Sequence, residues 1–168
     1  DNIPLGYLTD LEQSEQVFGN DLAARRDGDS RAEGVPADAK WMATGDLGVF
    51  LDDEIHITGR IKDLIVIAGR NHYPQDIEFT VMNASDHVRP DSVAAFSVMA
   101  DNTEELVLVI ERDDKADESG DAAAVEKIRA AVTAAHGVTP ADIRFLGPNE
   151  IQRSTAGKIA RRVIQKAY

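Results

Sequence analysis

The chain has 168 residues, enough for one ordinary domain with a buried core, or for a small domain with a further segment attached. Its 43% hydrophobic and 29% charged residues belong to a soluble globular chain and not to a disordered one. With 18 basic against 30 acidic residues the net charge is −12, which opposes contact with nucleic-acid backbones or anionic lipid. There is no Cys, so no disulfide framework and no thiolate zinc site, which suits the cytoplasm. The longest aliphatic runs, Leu64 to Ala68 and Leu106 to Ile110, are far too short to span a bilayer. The start, Asp1-Asn2-Ile3-Pro4, has no Met and none of the basic and apolar features of a signal peptide, so a piece of a longer chain is expected.

Residues 1 to about 40 are polar and weakly patterned. Gly19, Asp27-Gly28-Asp29, Gly34 and Pro36 punctuate them, which predicts loop with one short helix near Leu11 to Phe18. Val49-Phe50-Leu51 and Ile55-His56-Ile57 flank Asp52-Asp53-Glu54, a β-hairpin with an acidic turn. Leu64 to Ala68 reads as a buried strand closed by Gly69. Pro74 at a first helical position, with Asp76 and Glu78 behind it, predicts a helix whose apolar stripe is Ile77, Val81 and Ala84. Val93 to Val98 and Leu106 to Ile110 are strands joined through Asp101-Asn102-Thr103. Asp113 to Gly120 is a solvated loop, and the next helix carries Val125, Ile128 and Val132 on one face and stops at His136-Gly137. Ile143 to Leu146 is a short strand, and Ala160 to Lys166 a final basic helix. From about residue 62 the pattern is a small α+β domain, three strands or so with packed helices.

Two segments carry chemistry. The first is Trp41-Met42-Ala43-Thr44-Gly45-Asp46-Leu47-Gly48, followed after the hairpin by Gly59-Arg60-Ile61-Lys62-Asp63. The second is Arg153-Ser154-Thr155-Ala156-Gly157-Lys158-Ile159. Singly, each has a plain structural reading: a turn before a strand for Thr44-Gly45-Asp46, a hairpin exit with a solvated cation for Gly59-Arg60. Gly157-Lys158 suggests a nucleotide phosphate loop, but such a loop needs an earlier Gly where Gln152 stands and a hydroxyl where Ile159 stands. His56, His87 and His136 are scattered without metal-ligand spacing, and His72 beside Tyr73 reads as loop or helix start more readily than as a substrate contact. Asn83-Ala84-Ser85 matches a glycosylation acceptor inside a predicted helix and is discounted. Arg161-Arg162 and Lys166 read as cations answering the dipole of a helix C-terminus.

In this order and spacing the motifs resemble the superfamily of acyl-CoA synthetases, nonribosomal-peptide adenylation domains and luciferases. There a Tyr/Trp-x-x-Thr-Gly-Asp motif precedes a hairpin, a Gly-Arg-x-Lys/Asp-Asp hinge follows, and a Pro-x-Thr-x-x-Gly-Lys loop closes the chain. The run from Gly59 to Glu78, through Arg70-Asn71-His72-Tyr73-Pro74-Gln75-Asp76-Ile77, is similar to the fatty-acyl-AMP ligases of mycobacteria and related actinobacteria. Acyl-CoA synthetases more usually have an apolar and a basic residue in that loop. One departure is Gln152, where the family usually has Pro, which implies a more mobile final loop.

The resemblance implies that residues 1–61 are the end of a large N-terminal domain and residues 62–168 a mobile C-terminal domain. It implies an ATP-dependent ligase, using Mg2+, that activates a long-chain fatty acid as acyl-adenylate and passes it to an acyl carrier protein of a polyketide synthase in the cytoplasm. Lys158 is then the catalytic cation joining carboxylate, α-phosphate and ribose oxygen, a role that suits a flexible point charge. Asp46 takes the ribose hydroxyls, Thr44 and Gly45 complete the nucleotide-binding turn, Arg60 lies beside the ribose, and Lys62 is the hinge. No metal-ligating residue is implied. The phosphate-gripping loop and acyl pocket would belong to the absent N-terminal domain, so residues 1–168 alone are expected to be inactive. The hairpin, lacking its barrel partners, is expected to be loosely ordered or completed by another chain. An acyl-CoA synthetase or another carboxylic-acid adenylation domain remains open, as does a module that only docks a carrier protein.

Overall fold

The computed structural model describes Pro4, residues 6–22, 34–36 and 38–168; the Asp27-Gly28-Asp29 punctuation and the first three residues lie outside these. The chain divides into two compact units, Asp1–Thr58 and Gly59–Tyr168.

In the first unit, helix α1 (Leu11–Phe18) forms where it was expected. Its N-cap is Asp10, whose carboxylate accepts from Gln13 N at 2.8 Å. Strands β1 (Asp46–Leu51) and β2 (Glu54–Arg60) form the acidic hairpin. Asp52 and Asp53 have φ of 48° and 62°, the positive values that a two-residue turn of the right twist requires. Among the described residues the two strands pair only with each other, and Val49, Phe50, Leu51, Ile55 and Ile57 are exposed.

The second unit is built on a three-stranded sheet in the order β5 (Val88–Ala100), β6 (Thr103–Arg112), β7 (Asp142–Leu146). β5 and β6 are antiparallel across the Asp101-Asn102 turn, and β7 returns parallel to β6 through helix α3 (Asp121–His136). Side chains alternate along these strands, so each strand feeds two cores. Val93 and Ala95 of β5 and Leu106, Leu108 and Ile110 of β6 meet Ile77 and Val81 of α2 (Pro74–Ala84) and Ile128 and Val132 of α3. Ala94, Phe96, Val107 and Val109 face the other way, onto Ile151 and onto Ile164 of α4 (Arg161–Ala167). Burying each such aliphatic side chain is worth about 1.5–3 kcal/mol relative to leaving it exposed. The sheet is therefore covered on both sides, the α+β arrangement expected.

Several details differ from the sequence expectation. The apolar run after residue 64 is a hairpin, β3 (Ile65–Ile67) and β4 (Arg70–His72), turning at Ala68 and Gly69 with φ of 50° and 75°. Polar Arg70 and Asn71 hide the returning strand from a hydrophobicity pattern. β5 begins five residues earlier than Val93, because its backbone runs on through Arg89-Pro90-Asp91 by means of a register shift between Val88 and Val93. α3 buries Ala124 along with Ile128 and Val132, one helical turn apart, while Val125 is half-buried. Its end at Gly137, φ 66°, is the left-handed stop expected. Arg161 and Arg162 open α4; only Lys166 lies in its last turn, so the dipole reading of the pair does not hold.

Candidate functional site

The loop bearing Lys158 is closed by its own backbone. Arg153 and Ile159 form a bridge, Ser154 N donates to Lys158 O at 2.7 Å, Gly157 N donates to Ser154 O at 2.8 Å, and Ala160 N donates to Gln152 O at 2.9 Å. Gly157 has φ 76°, a conformation natural to Gly that lets the chain turn just before Lys158. Gln152, which stands where the resembling family has Pro, takes part in this closure through its carbonyl, a group that Pro would also supply. Lys158 itself is exposed, and among the described residues no carboxylate pairs with its ammonium. It lines an open groove with Glu78, Met82, Asp91, Arg153 and Arg161.

Two arginines hold this loop to the rest of the unit. Arg153 Nη1 donates to Gly157 O at 3.0 Å, and its Nη2 donates to Asp91 O and Ser92 Oγ, both at 2.8 Å. Arg161, two residues past the loop, makes a two-pronged pair with Glu78: Nε to Oε1 and Nη2 to Oε2, both 2.6 Å. Its Nη1 lies 3.5 Å from Asp63 Oδ2. These carboxylates, Glu78 first, hold the guanidinium above its ordinary pKa range. Glu78 is 7% exposed and also accepts from Ala95 N at 3.0 Å, so the buried charge is answered from two directions. A second buried carboxylate, Glu111, accepts from Ile151 N at 2.7 Å and so fixes the approach to the loop.

The nucleotide candidates fall in both units. In the first, Thr44 Oγ1 accepts from Asp46 N at 3.1 Å, and Gly45 between them has φ 74°; Asp46 is half-buried at the start of β1. In the second, Arg60 ends β2 and Lys62 sits in a single 3₁₀ turn, Ile61–Asp63; both are exposed. Lys62 lines a small cleft with Asp63, Arg161 and Arg162. Arg161 thus borders both the Lys62 cleft and the Lys158 groove.

Sequence reasoning quoted Arg153, Arg161, Asp63 and Glu78 in motifs or helix signals but gave none of them a role at the site. Glu78 left a trace: it stands three and four positions before Val81 and Met82, on the apolar side of α2, where an acid needs a partner. Arg153's acceptors left less, since only Pro90 inside a strand hints at the bulge that presents them. His72 is buried at the end of β4 instead of facing the groove. His87 and His136 are structural, bonded to Asp121 and Thr80 respectively, at 2.8 Å each. Among the described residues no group of three metal-ligating side chains occurs, and no helix is long and apolar enough to cross a membrane.

Comparison with known proteins gives a consistent picture. Residues 62–168 match the family described as Disco-interacting protein 2-like, AMP domain. The long-chain-fatty-acid–AMP ligase FadD32 of Mycolicibacterium smegmatis is 40% identical over 187 residues, covering 99% of this chain and 30% of the relative. Fatty-acid–CoA ligase fadD21 of Mycobacterium leprae, a provisional name, is 38% identical over 173 residues, covering 100% of this chain and 28% of the relative. The chain therefore spans less than a third of the length of these relatives. A solved structure from work on fatty acyl-adenylate ligases of E. coli and L. pneumophila superposes with a TM-score of 0.67 at 37% identity, over 84% of this chain and 24% of that one. The McyG A-PCP structure, complexed with phenylalanyl-adenylate, gives 0.69 at 32% identity over 76% of this chain and 23% of that one.

Proposed function

We propose, from the premise that the chain belongs to the Disco-interacting protein 2-like AMP-domain family, that it is part of an ATP-dependent ligase that adenylates a long-chain fatty acid. The observation that carries this reading is Lys158: an exposed cation without a carboxylate partner among the described residues, presented by a loop whose backbone is cross-bonded. In the reaction a carboxylate oxygen attacks the α-phosphorus of ATP, the bond to the bridging oxygen breaks, and pyrophosphate leaves with that electron pair. Negative charge gathers on the α-phosphate between two anions, where one positioned ammonium lowers the barrier most.

The other candidates take supporting parts in this reading. Thr44, Gly45 and Asp46 hold the ribose hydroxyls through the Asp46 carboxylate, and Arg60 steadies the same sugar. Lys62 is the pivot between residues 1–61 and 62–168. Magnesium would come to the site with the ATP phosphates, the ligands that this ion ordinarily keeps. The acceptor we favour is the thiol of an acyl carrier protein of a polyketide synthase in the cytoplasm: its sulfur attacks the acyl carbonyl and AMP leaves. This choice follows the likeness to FadD32 and to fatty acyl-adenylate ligases; fadD21, named for coenzyme A, keeps the synthetase reading as the alternative.

The test is made in the complete ligase with ATP, magnesium and a long-chain fatty acid. Lys158→Ala should slow acyl-adenylate formation by about 10²–10³ while sparing transfer from preformed acyl-adenylate. Equal loss in both steps would remove the assignment of Lys158 to the first step. Acyl-adenylate that persists with coenzyme A and disappears with a holo carrier protein supports the acceptor; rapid acyl-CoA formation selects the alternative.

A further inference from the structure

The distinctive feature around Lys158 is the means by which its backbone is held. Arg153 stands at the entrance to the loop and reaches across its mouth to the carbonyl of Gly157, the residue next to Lys158. Its other prong leaves the loop altogether and grips Asp91 O and Ser92 Oγ on β5. Those acceptors exist because β5 bulges there: Asp91 adopts φ 53°, turning its carbonyl away from the ladder. Ser92 is fully buried, and its hydroxyl donates to Pro90 O at 3.1 Å, which leaves its oxygen free to accept from the guanidinium. One rigid fork therefore fixes the exit of the loop relative to the sheet, a geometry that a single ammonium does not reproduce.

Resting on the adenylation reading above, we infer that Arg153 is a positioning residue for Lys158, acting through the bulge of β5. All of its partners lie in the same unit as Lys158, so the arrangement accompanies that unit in any orientation it takes. Lys158 arrives at the reacting phosphate with its main chain already set, and no loop ordering remains for the moment of reaction.

The experiment compares Arg153→Gln, Arg153→Lys, Ser92→Ala, Lys158→Ala and the double variant Arg153→Gln/Lys158→Ala in the complete ligase. Arg153→Gln should lower kcat for acyl-adenylate formation by up to about 10²-fold, with KM for ATP and fatty acid unchanged. Transfer from preformed acyl-adenylate should be unaffected, and Arg153→Lys should recover part of the loss. In the Lys158→Ala background Arg153→Gln should add nothing further, because a residue that works only through Lys158 has nothing left to position. Additive losses, or Arg153→Gln at the wild-type rate, overturn the inference. If Arg153→Gln does not fold, Ser92→Ala in the same cycle decides by the same criterion. A wild type that forms no acyl-adenylate overturns the adenylation reading itself, and this inference with it.

Discussion

His72 ends β4 with 8% of its surface exposed. Burial first, then the charges of Arg70 and His136, hold its imidazole below the ordinary value of 6.5. The unfolded chain therefore binds a proton at a pH where the folded one does not. Its contribution to stability is complete above 6.5 and is lost as pH falls below that value towards the folded pKa. Urea midpoints should accordingly drop as pH falls below 6.5, and His72→Asn should flatten that drop. An unaltered slope in the variant would show that another group is responsible. At this scale the sequence displays residues that a local motif assigns to the proposed site, such as Gly157-Lys158 and Thr44-Gly45-Asp46. It does not display residues whose role depends on a distant acceptor. Arg153 reads as one more surface cation until β5 is seen to bulge beneath it, 62 residues away.

Elements were legible where one period ran unbroken. α1, α2, the acidic hairpin and the α3 stop were expected where they occur, because capping, Pro placement and apolar spacing agree there. β4 was not, since a three-residue strand with two exposed polar side chains has no period to read. Nor was the joining of α2 to α4. Glu78 and Arg161 show how such a link behaves energetically: removing one member strands the other's charge in the core. Arg161→Met should destabilise the unit by about 3–5 kcal/mol, as should loss of Glu78 alone. Replacing both, Glu78→Leu with Arg161→Met, should restore part of that stability, because the desolvation penalty disappears with the charges while Ala95 N is left without its acceptor. Chemical denaturation of the three variants measures this; a double variant as weak as the single ones would mean the pair itself, and not the avoidance of an orphan, supports the fold.

For the whole molecule, the division after Thr58 and the bonding of Asp63 to Arg161 bracket Lys62. Asp63 onward is tied into the second unit, while Lys62 is exposed and sits in the short turn before the tie. In the proposed reading, rotation of one unit against the other would be absorbed in those few residues. Proline at 62 fixes φ and removes an amide donor. Lys62→Pro in the complete ligase should therefore spare one half-reaction and impair the other, measured as acyl-adenylate formation and as transfer from preformed acyl-adenylate. Both rates at wild-type level would mean that the pivot lies elsewhere. The motif from Gly59 to Asp63 is the local feature on which the proposed hinge rests. Nothing local in the sequence announces that a guanidinium far along the chain binds Asp63 into the second unit.

That same guanidinium has a bearing on how the protein is made. Glu78 leaves the ribosome 83 residues ahead of Arg161, and the face of the sheet built on Ala94 and Val107 waits almost as long for Ile164. Throughout that interval α2 carries an acid without its counter-ion, and half of the sheet has no cover. The nascent unit can gather its first core but cannot close its second until α4 emerges, so its window for chaperone capture spans most of its own translation. A premature stop shortly before Arg161 would leave a unit with an open sheet and a stranded carboxylate, a substrate for cellular proteases and not a weakened enzyme.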